Sequence, residues 1–113
     1  MPSQIRKQLG QGTPPDTTAV SIFSPDRRDR FTIENIIICN TTASAATYRI
    51  FLDNDGSTYD ATTAIAYDVS LAGNATDIIE VNLYMTDPAG NLAVRTGTGN
   101  ALTFTVNGSD GSI

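Results

Sequence analysis

The sequence predicts an all-β protein: an antiparallel β-sandwich or jelly roll of about seven short strands, preceded by an extended N-terminal arm. From Phe31 to Asn107, apolar and polar residues alternate in short runs, which places alternate side chains on opposite faces of a sheet. Many of the polar positions are Thr, whose branched Cβ also favours extended backbone. Gly, Asn, Asp and Ser separate the runs, as expected of turns.

The composition indicates one acidic domain. A chain of 113 residues with 40% hydrophobic residues has enough apolar material for a single core. The formal net charge is −5 and Lys7 is the only lysine, so neither nucleic acid nor an anionic membrane is an expected partner. We find no signal peptide or membrane-spanning run in the sequence, and we expect the mature protein to start near Met1.

Residues 1–17 are predicted to form the arm, and residues 18–113 the sandwich domain. The arm is rich in Pro and Gly, and Ile5 and Leu9 are its apolar anchors, so it cannot form a core of its own. The spacing of Ile5 and Leu9 allows a short helical turn from Ser3 to Gly10. We expect Ile5 and Leu9 to contact a neighbouring subunit, because an arm of this kind is ordered only by what it packs against.

The first predicted strand, Ala19 to Phe23, is followed by a charged turn. The turn contains Pro25 and three arginines, Arg27, Arg28 and Arg30, with aspartates between them. Because the aspartates partly neutralise the arginines, a solvated turn is the favoured interpretation. A subunit contact is the alternative, since Arg is enriched at protein interfaces.

The next strand, Phe31 to Asn40, is apolar on both faces over Ile36, Ile37, Ile38 and Cys39. An isolated sandwich buries only one face of each strand, so this pattern predicts a covering loop, arm or second subunit. We expect Ile36 and Ile38 to take part in such a subunit contact. Cys39 is the single cysteine and is expected to be a buried thiol, because the chain has no histidine to activate it as a nucleophile.

Five further strands are predicted: Thr47 to Leu52, Thr63 to Leu71, Ile78 to Met85, Leu92 to Thr96 and Leu102 to Asn107. The alternation is clearest in the second of them, where the side chains predicted to face the core are Ile65, Tyr67, Val69 and Leu71. The segment from Gly97 to Asn100 favours a hairpin between the last two strands.

The loop from Asp53 to Asp60 has closely spaced carboxylates, which makes Asp53, Asp55 and Asp60 weak candidates for a calcium site. The loop does not match an EF-hand, because Gly56 comes too early and no Glu follows in register. Asp, Asn and Gly are also the ordinary residues of tight turns, so a structural turn is the favoured interpretation. Without histidine or tryptophan, neither an enzyme nor a cofactor is expected.

Three stretches resemble a family of small virion proteins of tailed bacteriophages. They are IICNTTASAATYRIFL (Ile37 to Leu52), AIAYDVSLAGNAT (Ala64 to Thr76) and ALTFTVNGSD (Ala101 to Asp110). An LGQ element, here Leu9 to Gln11, belongs to the same pattern. The loop from Asp53 to Asp60 and the turn from Asp87 to Asn91 depart from it.

This resemblance implies a structural protein of the virion, assembled in the host cytoplasm, and foremost a capsid decoration or cement protein. Such proteins commonly associate as trimers, so the implied partners are further copies of the chain and the major capsid protein or another virion protein. A tail, connector or fibre component is the alternative location. A carbohydrate- or receptor-binding module is the alternative function, in which exposed tyrosines would stack on sugars: Tyr48, Tyr59, Tyr67 or Tyr84.

Overall fold

The computed structural model describes residues 3–112, which form eight strands in two four-stranded antiparallel sheets. The strands are β1 (Ser3–Gly12), β2 (Val20–Phe23), β3 (Arg30–Asn40), β4 (Ala46–Asp53), β5 (Ala64–Leu71), β6 (Thr76–Met85), β7 (Asn91–Thr96) and β8 (Leu102–Ser112). The first sheet has the order β1-β8-β3-β6 and the second sheet has the order β2-β7-β4-β5. The predicted all-β sandwich is confirmed, with β1 as an additional strand.

The strand order is that of a jelly roll. β1 pairs with β8, β2 with β7, β3 with β6 and β4 with β5, as if one long antiparallel hairpin had been rolled up with successive pairs alternating between the sheets. As a result β1 and β2 are the edge strands along one side of the sandwich, the β1/β2 side. β5 and β6 are the edge strands along the other, the β5/β6 side.

The core lies between the two sheets and is formed by the inward set of alternating apolar residues. Its largest members are fully or almost fully buried: Phe31, Ile33, Ile36, Ile38, Tyr48, Ile50, Met85, Leu92, Leu102, Phe104 and Val106. Tyr48 packs edge-on to Phe104, with 6.3 Å between the ring centroids. The Tyr48 hydroxyl donates a 2.9 Å hydrogen bond to Asp77 Oδ2, which satisfies the one polar atom of this ring in the core.

The segment predicted to be an arm is part of the first sheet. β1 pairs with β8 from Ser3 opposite Ser112 to Gly12 opposite Phe104, so the backbone is extended and the predicted helical turn is absent from these residues. At Gly10 a methyl group would clash with the carbonyl oxygen of Ile22 in β2, so glycine lets the two edge strands approach. Met1 and Pro2 lie outside the described residues, and the domain boundary after residue 17 stays a prediction.

The prediction for Ile36 and Ile38 is wrong. Both side chains are 0% exposed and point into the core, so they cannot contact another subunit. The outer face of β3 carries Ile37 and Cys39, which are half-buried, so the thiol predicted to be buried is partly accessible. The apolar pattern covers both faces of β3, and only the pairing register with β6 and β8 decides which set faces inwards.

The prediction for β5 is right for one half of the strand and wrong for the other. Leu71 is buried and Val69 packs against the core, as predicted. Ile65 and Tyr67, however, are exposed, and Ala66 takes the inward position.

A β-bulge causes this change of face. Tyr48 pairs with Val69 but Ile50 pairs with Ala66, so β5 has one extra residue between these two positions. Asp68 lies in the bulge and has a φ of 52°, a left-handed conformation that Asp tolerates better than most residues. The bulge reverses which residues of β5 face the core, and a sequence pattern with a period of two residues does not predict such a reversal.

Candidate functional site

A charged cluster on the β1/β2 side is centred on Asp110 in β8. Asp110 is buried, and its Oδ2 accepts a 2.6 Å hydrogen bond from Arg27 Nη2 and lies 3.7 Å from Lys7 Nζ. A buried carboxylate is tolerated only where cations or donors compensate for its lost hydration. These two contacts therefore hold the loop between β2 and β3 against the β1–β8 pair.

Arg27 is the most connected residue of this cluster. Its guanidinium also lies 2.8 Å from Asp26, 3.2 Å from Asp29 and 5.2 Å from the centre of the Phe31 ring. The hydrogen bond to Asp110 is the main reason that the pKa of Arg27 is raised above its ordinary value. Since its partners lie within the chain, this arginine fixes the turn that the sequence predicts to be solvated.

A cleft of about 390 Å³ lies beside the cluster. It is lined by Lys7, Leu9, Ile22, Phe23, Arg27 and Phe31. Two of the predicted contact residues, Leu9 and Arg27, are thus brought together here, and a third, Ile5, is exposed opposite Asp110 in the β1–β8 ladder.

The other two predicted arginines do not join this cleft. Arg28 lies 3.8 Å from Asp87 in the turn between β6 and β7, and Arg30 pairs with Gly111 at the start of β3. The predicted contact residues therefore divide into a group on the β1/β2 side, two arginines beside it, and two core isoleucines.

An open groove of about 560 Å³ crosses the outer face of the first sheet. It is lined by Arg6, Thr32, Glu34, Glu80, Asn82, Tyr84 and Ser109. The groove lies near the level at which the pairing register shifts in this sheet, and bulges of this kind bend a sheet locally. Arg6 Nε lies 3.7 Å from Glu34 Oε1, and Asn82 Nδ2 donates a 2.9 Å hydrogen bond to Tyr84 Oη.

A second charged pair lies on the outer face of the second sheet, at the bulge in β5. Arg49 donates two hydrogen bonds to Asp68, of 2.6 and 3.0 Å, and lies 4.0 Å from the centre of the Tyr67 ring. The hydrogen bond lowers the pKa of Asp68 and raises that of Arg49. This cluster stabilises the bulge, and the only sequence signal for it is an Asp inside an otherwise regular strand.

The loop from Asp53 to Asp60 uses its carboxylates internally. Asp53 accepts hydrogen bonds from the backbone N–H of Thr58 at 2.9 Å and of Asp55 at 3.3 Å, and Asp60 accepts from the hydroxyl and the N–H of Thr62. These bonds lower the pKa of Asp53 and of Asp60. Across residues 3–112, no group of three or more His, Cys, Asp or Glu side chains is arranged to hold a metal ion. The three aspartates are therefore not brought together as a calcium site.

Residues 3–112 contain no helix that is long and apolar enough to cross a membrane.

Comparison with known proteins identifies the fold. Neither a protein-family model nor a curated protein matches the chain by sequence. A chain of the T13 IBDV viral particle has a TM-score of 0.56 at 16% identity, and the alignment covers 97% of this chain and 30% of that one. The infectious bursal disease virus VP2 subviral particle gives a TM-score of 0.56 at 17% identity, over 97% and 32% of the two chains.

The coat protein of Tobacco streak virus aligns over 99% of this chain and 86% of its own, with a TM-score of 0.49 at 9% identity. The chain spans about a third of the infectious bursal disease virus chains that it is similar to. At these identities the likeness establishes a shared fold and no more: over 97% of its length this chain has the same β-sandwich fold as part of those chains.

Proposed function

We propose that this chain is a structural protein of a virus particle and acts through contacts with other subunits. The observation that carries the proposal is the strand order of its two sheets, in a fold that it shares with chains of infectious bursal disease virus particles over 97% of its length. Those chains come from viral and subviral particles, and in a particle of repeated subunits a domain of this kind would act through the surfaces that it presents to its neighbours.

The chemistry of the described surfaces supports contact as the function. The two best-defined ionic clusters, Arg27 with Asp110 and Arg49 with Asp68, form within the chain and fix a turn and a bulge. Their charges therefore stabilise the fold. The large hydrophobic side chains that remain exposed lie along the edges of the sheets.

Within this class, we propose a capsid decoration or cement protein of a tailed bacteriophage. The support is the sequence resemblance of the segments from Ile37 to Leu52, Ala64 to Thr76 and Ala101 to Asp110. The proposed partners are other copies of the chain and the major capsid protein. Ile5 and Leu9, which flank and line the cleft on the β1/β2 side, are the proposed contact residues. Arg27 lines the same cleft, but its charge is used within the chain.

Particles that lack the chain test this proposal. Phage particles are produced with and without a stop codon in its gene, and the temperature at which they release their genome is measured. A decoration protein predicts intact heads that release the genome at a lower temperature, and that recover when purified protein is added back. Heads of unchanged stability that do not bind the added protein would contradict it.

The groove on the outer face of the first sheet favours carbohydrate binding as a second candidate function. Tyr84 is 62% exposed there, beside the carboxylates of Glu34 and Glu80 and the amide of Asn82, which is a ring and a set of polar groups of the kind that sugars require. Glycan-array binding that is lost in Tyr84→Ala and kept in Tyr67→Ala would support this function. An array without any bound glycan would remove it.

A further inference from the structure

Exposed large hydrophobic side chains occur only on edge strands in the part of the chain that the structure describes. They are Ile5, Val20, Ile65, Tyr67, Ile78 and Tyr84. Ile5 and Val20 belong to the β1/β2 side, and the other four belong to the β5/β6 side. An edge strand presents unpaired backbone groups, so a second chain that paired with it would also cover these side chains.

The two sheets differ in how far their edges are protected against pairing with another chain. In the second sheet, β2 has only 4 residues and β5 has two register shifts with a charged residue, Asp68, in the bulge. In the first sheet, β1 and β6 have 10 residues each and one register shift each. β6 contains no Lys or Pro, and Ile78 on it is 64% exposed. By length and regularity of pairing, the edges of the first sheet are therefore the more open ones.

The two open edges carry opposite charge. β1 contains Arg6 and Lys7 and no acidic residue, whereas β6 contains Asp77 and Glu80 and no basic residue. Lys7 faces Asp110 and Asp77 accepts the hydrogen bond of Tyr48, so the charges left for a second copy are those of Arg6, whose side chain is 83% exposed beside Glu34, and of Glu80. Two β6 edges brought together would place like charges opposite each other, and so would two β1 edges. A β1 edge against a β6 edge pairs opposite charges, so charge complementarity selects a second copy of this chain as the partner.

The strand directions permit this contact. β1, β8, β3 and β6 alternate in direction, so β1 and β6 run opposite to each other. When a second copy is rotated about an axis parallel to the strands, its β6 lies antiparallel to β1 of the first copy, and the alternation continues across the junction. The sheet then extends from one copy to the next.

The pairing register shows which side chains would meet. Arg6 pairs with Ser109, Ser109 with Thr32, and Thr32 with Tyr84, so these four residues stand at one height across the first sheet. Without a shift along the strands, Arg6 of one copy meets Tyr84 of the next copy. Glu80 is level with Gln8, which lies two residues along β1 from Arg6. The guanidinium of Arg6 in one copy can therefore reach the carboxylate of Glu80 in the next.

We propose that copies of this chain associate edge to edge, with β1 of one copy paired to β6 of the next and Arg6 placed against Tyr84 and Glu80. Because the two surfaces differ, the contact is head-to-tail and gives a ring when its rotation closes. This inference rests on the proposed function and deepens it, since it names the partner and the two edges that form the contact.

Charge reversal tests this contact. We compare Arg6→Glu, Glu80→Arg and the double variant by sedimentation equilibrium, with circular dichroism to verify folding. The Arg6 side chain is 83% exposed, so its replacement should leave the fold intact. The wild type is expected at a multiple of 12.0 kDa, and each single variant should have a dissociation constant at least about tenfold weaker. The double variant should recover association, because the introduced carboxylate of one copy meets the introduced guanidinium of the next.

Asp55→Arg is the matched control. It makes the same charge change as Glu80→Arg in an exposed loop, and it should leave the association constant unchanged. A wild type that is monomeric at millimolar concentration would overturn the proposal. So would association that only Glu80→Arg weakens, since that result indicates a contact between two β6 edges, or a double variant that does not recover.

Failure of this contact can be distinguished from failure of the proposed function. A monomeric wild type that is nevertheless abundant in purified particles rejects the edge contact and leaves the virion function standing. A ring in solution together with absence from particles gives the reverse conclusion.

Discussion

Two adjacent isoleucines in β3 provide a sharp test of the fold. Ile38 is 0% exposed in the core, whereas Ile37 is half-buried on the outer face. Ile38→Ala removes three buried carbon atoms, which at about 0.8 kcal/mol each lose about 2.4 kcal/mol of transfer free energy. The remaining cavity adds about 1 kcal/mol, so we expect a loss of about 3–4 kcal/mol in the free energy of unfolding. Ile37→Ala should cost about 1 kcal/mol, mainly through β-propensity and partial burial.

Equilibrium urea unfolding followed by far-UV circular dichroism measures both losses, and it suits a chain that has no tryptophan. The two variants have the same composition, so the effect of the substitution on the free energy of the unfolded state is about the same in both and cancels in their comparison. Equal losses, or a larger loss for Ile37→Ala, would show that the pairing register of β3 and the direction of its side chains are wrong.

Three further predictions concern single groups. Because the folded-state pKa of Asp53 lies below its ordinary value of 3.8, its stabilising contribution is present above that pH and is lost as the pH falls through the lowered pKa. In urea unfolding at a series of pH values, Asp53→Asn should therefore reduce the loss of stability at acid pH, and an unchanged loss would contradict this prediction. Burial and the hydrogen bond to Asp77 raise the pKa of Tyr48 from 10.0 to about 12, so the contribution of the neutral hydroxyl to folding stability is complete below pH 10.0 and is lost between pH 10.0 and about 12. Ultraviolet titration should show one tyrosine that ionises at higher pH than the others, and this late step should be missing in Tyr48→Phe. Gly10→Val should lower the free energy of unfolding by about 1–3 kcal/mol, because the new side chain meets the backbone of β2. Gly12→Val is the control and should lower it less, because there is open space around Gly12. Equal losses would argue against the close approach of β1 and β2.

Alternation of apolar residues was sufficient to predict most of the strands. The predicted strand Phe31 to Asn40 is Arg30–Asn40 in the structure, and the predicted strand Thr47 to Leu52 is Ala46–Asp53. This works because a sandwich with one buried face per strand imposes a period of two residues on its sequence.

The features that alternation could not predict depend on contacts between distant parts of the chain. β1 has little apolar periodicity and is a strand because it pairs with β8, about a hundred residues later in the sequence. The inward direction of Ile36 and Ile38 depends on the register of β3, because the neighbouring residues on its other face are also apolar. The outward direction of Tyr67 depends on the bulge at Asp68.

The candidate contact surfaces were predictable only in part. Leu9 and Arg27 were predicted as contact residues and do lie together on the β1/β2 side. Lys7 and Asp110 join them there only because β1 and β8 pair, which no local pattern indicates. The acidic residues of β6 indicate a contact surface only once the strand order is known, because it places β6 at the edge of the first sheet, opposite β1.

The most direct test of the central claim, that this chain works as a repeated contact element of a virus particle, is its copy number in purified and washed particles, measured by quantitative mass spectrometry against the major capsid protein. The account predicts hundreds of copies per particle, in a fixed ratio to the capsid lattice. A handful of copies would move the protein to the tail or a vertex, and its complete absence from washed particles would contradict the account.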